Sequence, residues 1–215
     1  SYEVDDVTSI KLRLATAGGA SSTNDTLGDP NDGSAGAVYF DRAYLSHKAG
    51  DVKLNMGRMK NPLYRAGKNQ LIFDGDFNPE GIHASYNWKG VYVNLGSFWI
   101  DENKAKSTDD GLDVTLTATQ AGYGNEVGKF KYNLGASHYN FENSHAKDIT
   151  GFGDGVNLLE LYFEVTYKMA QPINFSVSKV ENSEADGDNT AMIVGLAVGK
   201  TKAKGSWNVG ANQRI

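Results

Sequence analysis

Connections between the β-patterned segments of this chain alternate in length, and that alternation restricts the fold more than any single residue does. Tight connections fall at Lys48-Ala49-Gly50-Asp51, Trp88-Lys89-Gly90, Gly124 to Gly128, Met169 to Pro172 and Thr201 to Gly205. Long polar ones separate them, at Gly18 to Gly36, Lys60 to Pro79, Asp101 to Gly111, Glu142 to Asn157 and Glu181 to Asn189. A soluble β-sandwich has no reason to gather its long loops at one end and its short turns at the other. A transmembrane β-barrel does, with short turns on one side of the membrane and longer loops on the other.

The segments themselves have the two-residue period of strands. Leu159, Leu161, Phe163, Val165 and Tyr167 share one face of 158–168, and Glu160, Tyr162, Glu164, Thr166 and Lys168 share the other. Val91, Val93, Leu95 and Trp99 oppose Tyr92, Asn94 and Gly96, while Leu112, Val114, Leu116 and Ala118 oppose Asp113, Thr115, Thr117 and Thr119. Similar runs occur at 129–141, 173–180 and 190–200. The apolar sets are expected to face outward and the polar sets inward, because a sheet spans lipid only by pairing every backbone group and closing on itself. Trp88, Trp99, Tyr167 and Trp207 near strand ends fit an interfacial aromatic girdle. The expected architecture is an all-β, transmembrane, antiparallel up-and-down β-barrel in the outer membrane.

Composition narrows the alternatives. The 215 residues carry 21 Lys+Arg against 26 Asp+Glu, a net charge of −5, so no nucleic-acid footprint is visible. The absence of cysteine excludes disulfides and thiolate metal sites. A mean hydropathy of −0.46 does not argue against a barrel, because one face of each strand meets water. The N-terminal Ser1-Tyr2-Glu3-Val4-Asp5-Asp6 lacks the regions of a signal peptide, so any such segment is expected to have been removed. Some eleven strands are visible, an odd number, and the chain stops at Asn212-Gln213-Arg214-Ile215 without a terminal aromatic. Residues 1–215 are therefore expected to form one barrel domain, as an internal portion lacking its first and last strands.

The hairpin Phe40-Asp41-Arg42-Ala43-Tyr44-Leu45 to Gly50-Asp51, returning through Val52-Lys53-Leu54-Asn55-Met56-Gly57-Arg58, resembles a hairpin of bacterial general porins. Continued through Met59-Lys60-Asn61-Pro62 to Asp76-Phe77-Asn78-Pro79-Glu80-Gly81, it is similar to the "Putative porin" family of Gram-negative outer membranes. The resemblance implies a sixteen-stranded homotrimer with a long loop folded into the lumen. It implies partners among outer-membrane lipid and lipopolysaccharide, small hydrophilic solutes and ions, and it implies no cofactor. Residues 60–80 are the candidate pore-constricting loop. On that analogy two strands precede Ser1 and three follow Ile215.

A diffusion pore needs fixed charges around a wet constriction. Wall candidates are Lys11, Arg13, Arg42, Arg58 and Lys131, with Asp74, Asp76 and Glu80 on the loop and Glu160 and Glu164 on the lumenal side of their strand. Strict alternation puts Arg58 with Val52, Leu54 and Met56, on the lipid side. A bulge at Gly57 would turn it inward, and a position at the headgroup rim is the other alternative. Asp74 and Asp76 flank Gly75, which is also an ordinary turn composition. His47, His83, His138 and His145 are scattered without metal-ligand spacing, so neither a metal site nor an enzyme is expected. Asp186-Gly187-Asp188-Asn189 has the oxygen ligands for Ca²⁺, as do many acidic loop tips that bind none. Beside passive diffusion stand two alternatives: a substrate-selective channel along Tyr92, Tyr139 and Tyr162, and a non-conducting surface or adhesion barrel.

Overall fold

The computed structural model describes residues 1–17, 37–101, 113–143, 155–202 and 204–215. Its strands are β1 (Tyr2–Glu3), β2 (Thr8–Ala17), β3 (Ala37–Ala49), β4 (Val52–Arg58), β5 (Glu80–Trp88), β6 (Val91–Asp101), β7 (Val114–Val127), β8 (Phe130–Glu142), β9 (Val156–Tyr167), β10 (Ile173–Asn182), β11 (Thr190–Gly199) and β12 (Asn208–Arg214). They form one sheet in sequence order, each antiparallel to the next. Strands β1 and β12 carry its outer edges, and the described sheet is not closed between them. All eleven strands read from the sequence are present, and β1 is additional.

The alternation of connections follows from the register. Ala49 pairs with Val52, Trp88 with Val91 and Val127 with Phe130, leaving two-residue turns at one end of the sheet. The third of these corrects the tight connection expected at Gly124 to Gly128. Strand β7 runs on to Val127, and the turn is Gly128-Lys129. Of the long connections at the other end, only 59–79 and 183–189 lie wholly within the described residues.

Burial is inverted relative to a soluble protein. Leu161 is 56% exposed although it lies mid-strand, and Leu12, Leu95, Leu159, Phe163 and Leu196 are also exposed. Ser46, Asn55, Asn94, Gln120, Ser137, Glu160 and Ser178 are buried on the opposite face. An apolar face left to solvent in one strand after another matches a lipid-facing surface, and the buried polar face is the inner one. Trp88, Trp99 and Trp207 are exposed near strand ends, and the Phe130 and Tyr167 rings meet at 5.0 Å beside the short turns.

One strand reverses the expected orientation. Val114, Leu116 and Ala118 of β7 are buried on the inner face, and Thr117 and Thr119 point outward. Pairing with β6 fixes this, since Leu116 stands opposite Phe98 and Thr119 opposite the exposed Leu95. The physical reason lies far away in sequence. Met59, Leu63 and Phe73 of the 59–79 segment pack onto Phe98, Leu116, Ala118 and Tyr139, forming a dry cluster inside the wall.

Candidate functional site

The segment 59–79 folds across the inner face instead of extending away from the sheet, and three sets of contacts hold it there. The first is the apolar cluster, in which Phe73 stacks on Phe77 at 4.9 Å and meets Tyr139 edge-on at 5.2 Å. The second is a pair of bonds to one side chain. The fully buried Gln120 accepts from the Tyr64 backbone N–H (2.8 Å) and donates to the Tyr64 carbonyl (2.9 Å) and to Ser137 (2.9 Å). A carboxamide has both a donor and an acceptor, so one glutamine replaces a strand partner for the loop backbone. The third is Glu164, which accepts from the Tyr64 hydroxyl, from the Gly67 N–H (3.0 Å) and from Asn174 (2.6 Å). Gly67 lies in a short 3₁₀ turn, Ala66–Lys68, so close to Ser176 that a β-carbon would come within 2.2 Å of its hydroxyl.

The tyrosines of the inner wall belong to this arrangement. The Tyr92 and Tyr162 hydroxyls are 2.6 Å apart, and the Tyr64 ring lies 6.0 and 5.4 Å from theirs. Their rings reach each other across Gly122 and Gly135, where any β-carbon would fall about 2.3 to 2.4 Å from a tyrosine oxygen. Tyr139 donates to Glu160 (3.1 Å) and packs on Phe73. The expected lumenal track of Tyr92, Tyr139 and Tyr162 is thus a packed floor beneath the loop. Burial and the Glu164 carboxylate both raise the pKa of the Tyr64 hydroxyl far above its usual range, so that bond keeps its proton.

The wall arginines converge on a residue the sequence reading did not select. Register shifts between Arg13, opposite Arg42, and Leu14, opposite Phe40, so Asp41 is the extra residue of a β-bulge. The bulge turns Asp41 inward beside Arg42. Asp41 is fully buried, is ion-paired with Arg13, and accepts from Asn78 at 2.8 Å. Arg42 donates to Asn78 at 2.9 Å and lies 3.9 Å from the Asp41 carboxylate. Arg58 donates to the Asp41 carbonyl at 3.2 Å. The signal was present as two adjacent charges after Phe40, which a strictly alternating strand cannot send to one face.

Gly57 is not bulged: pairing continues through Tyr44 opposite Gly57, Ala43 opposite Arg58 and Arg58 opposite Glu80. The backbone register therefore puts Arg58 on the outward face, the side of Leu12 and Ala43. Glu80 is the first residue of β5 and not part of the loop, and it stands opposite Arg58 and Trp99. Asp74 and Asp76 are exposed on the loop. Asp74 accepts from the Gly75 N–H at 2.6 Å, and Arg65 ties that region together through the carbonyls of Asn69, Phe73 and Asp74. Lys11 is on the inner face, paired with Tyr44, and the exposed Lys131 stands opposite Glu126 near the short turns. Glu160 is 2% exposed, held by Tyr139 and by Ser178 at 2.5 Å.

His47 bonds Thr8, His83 sits between Asn55 and Asn94, and His138 bonds Asn157. His145 lies outside the described residues. Among the described residues no three His, Cys, Asp or Glu side chains gather as a metal site would need, Asp186 and Asp188 included.

Comparison with known proteins agrees with this architecture. A loop L8 deletion mutant of OmpT, an outer membrane protein of Vibrio cholerae, is similar with 15% identity and a TM-score of 0.50, over 100% of this chain and 83% of that one. In vitro-folded OmpT from Vibrio cholerae in a trimer form is similar with 15% identity and a TM-score of 0.51, over 99% and 78% of the two chains. At such identities the likeness speaks for the fold. No curated protein matches the sequence. The family described as "Putative porin" matches residues 1–197. With that match and an inside-out antiparallel sheet, the chain belongs to the "Putative porin" family and is an integral protein of the outer membrane.

Proposed function

We propose that this chain forms a passive diffusion pore for small hydrophilic solutes and ions, narrowed by the loop of residues 60–79. One observation carries the reading: a long loop that crosses the polar inner face and is fastened there by Gln120, Glu164 and Asn78. A loop lying across a polar lumen reduces its open cross-section, which is what size exclusion requires. Charges at the narrowing set ion preference, because a low-dielectric wall concentrates the field of each one. The wall charges are Lys11, Arg13, Arg42 and Lys131, the loop charges Asp74 and Asp76. Glu164 serves as an anchor, and Glu160 lies beneath it. Arg58 and Glu80 stand opposite each other in the register on the outward face, where lipopolysaccharide and lipid headgroups would meet the barrel.

A homotrimer fits the trimer form described for the similar OmpT structure. The protein works as a channel, with no enzymatic step. Planar-bilayer recording tests the reading: large, stable, ohmic steps are expected, and silent bilayers from correctly folded protein would reject it in favour of a non-conducting surface barrel. In the same recordings Arg42→Glu should move the reversal potential under a salt gradient toward cations. An unchanged potential would remove Arg42 from the constriction.

A further inference from the structure

A cavity of about 600 Å³ lies between the root of the loop and the short-turn ends of β4, β5 and β6. Its lining is unlike that of β9, where Glu160 and Glu164 stand. Asparagine amides and the Ser85 hydroxyl line it beside Met59, Leu63 and three tyrosines, and its charged residues are Lys53 and Lys60 without any carboxylate. Two buried side-chain atoms lack a hydrogen-bond partner among the described residues, Asn55 Oδ1 and Asn61 Nδ2, and both residues line this cavity. The other half of each amide is committed, Asn55 Nδ2 to His83 at 3.2 Å and Asn61 Oδ1 to the Leu63 N–H at 3.0 Å. What remains is one unpaired acceptor and one unpaired donor, each costly to bury without a partner. Both atoms are closed off from the cavity itself, so a solute there meets the Asn87 and Asn133 amides and the Ser85 hydroxyl, and a hydroxyl, which both donates and accepts, suits each of them.

We propose that this cavity is a subsite for a hydroxyl-bearing organic anion of sugar-acid size, its hydroxyls taken by the Asn87 and Asn133 amides and Ser85 and its charge by Lys53 and Lys60. The inference deepens the diffusion-pore reading and rests on it, because it supposes that solutes enter the lumen. Binding here would hold such an anion just beyond the narrowing, on the short-turn side.

Sodium gluconate is the probe, with mannitol (hydroxyls, no charge) and acetate (charge, no hydroxyls) as controls. In planar bilayers gluconate should reduce the single-channel chloride current saturably, and the controls should need about tenfold higher concentrations or more. Lys53→Gln and Asn87→Ala change exposed side chains and should raise the half-blocking concentration about three- to tenfold. Open channels with no saturable gluconate block would overturn the subsite and leave the pore reading standing. Equal block by mannitol, or no change in Lys53→Gln, would overturn the anion assignment. Silent bilayers would overturn the pore reading. Equilibrium dialysis of radiolabelled gluconate against the full chain in detergent micelles then decides the subsite: retention that Lys53→Gln weakens supports it, and no retention refutes it.

Discussion

Asp41 ties together what the sequence shows as separate charges. Its carboxylate neutralises part of the field of Arg13 and Arg42 and, through Asn78, fixes the C-terminal end of the loop to the wall. Removing one partner of a fully buried pair costs about 3–5 kcal/mol. Arg13 is 44% exposed, so water screens the cation that remains, and about 2 kcal/mol is expected for Asp41→Ala. Asp41→Asn keeps an acceptor for Asn78 and should lose less. Thermal unfolding followed by gel mobility checks the order; equal losses would mean that the charge is what matters and the Asn78 bond contributes little. Alternation in the sequence points Arg42 inward but gives no sign of Asp41 beside it, because a bulge adds a residue there. Alternation does hold at Gly57, where the alternative of a bulge is not realised and Arg58 keeps its register. Local sequence marks both positions as irregular without saying which one yields.

At the scale of elements, the loop and β7 explain each other. The alternation of β7 was legible, but its direction was not: Thr115, Thr117 and Thr119 suit lipid as well as water, and only Met59, Leu63 and Phe73 decide the matter. Those partners come from more than forty residues away, beyond any local pattern. Gln120→Ala removes the bonds to the Tyr64 backbone and leaves buried loop groups unpaired, at about 1–3 kcal/mol. Because the loop is not part of the sheet, that loss should appear as loop undocking, seen as noisier and larger current steps with little change in barrel unfolding. A lowered unfolding temperature with unchanged current would instead make Gln120 a purely structural residue. Tyr64 adds a pH dependence of known sign. Its proton is held more tightly in the docked loop than the usual value of about 10. Docking is therefore independent of pH below about 10 and weakens as pH rises beyond it. Current noise should grow above that pH in the native chain and show no such rise in Tyr64→Phe, whose loop is loosened from the start. Tyrosinate absorbance at 295 nm gives the parallel check.

For the whole molecule, the defining property is the exchange of surfaces, with leucine and phenylalanine outside and amide, hydroxyl and carboxylate inside. This was the most legible level, since Leu159, Leu161 and Phe163 against Glu160 and Tyr162 repeat a two-residue period that no loop disturbs. The period states which residues share a face, and hydrogen-bonded pairing to the neighbouring strand carries the assignment onward, as Leu161 opposite Ala136 and Lys179 shows. A charge placed on the outer face meets hydrocarbon. Leu161→Arg should cost about 1–2 kcal/mol of folding free energy in lipid vesicles, below the range of about 2–4 kcal/mol for a cation at the bilayer midplane, because Lys179 already stands opposite it on the same face. Asn212→Lys lies on the inner side, lining the space beside the loop with Gly195, and should cost almost nothing. Folding yields into vesicles of matched thickness, read by gel mobility, separate the two. The difference should shrink in detergent micelles, where an arginine at the surface reaches water. If both variants fold equally well in vesicles, Leu161 does not face hydrocarbon, and the sheet would have to be turned the other way around.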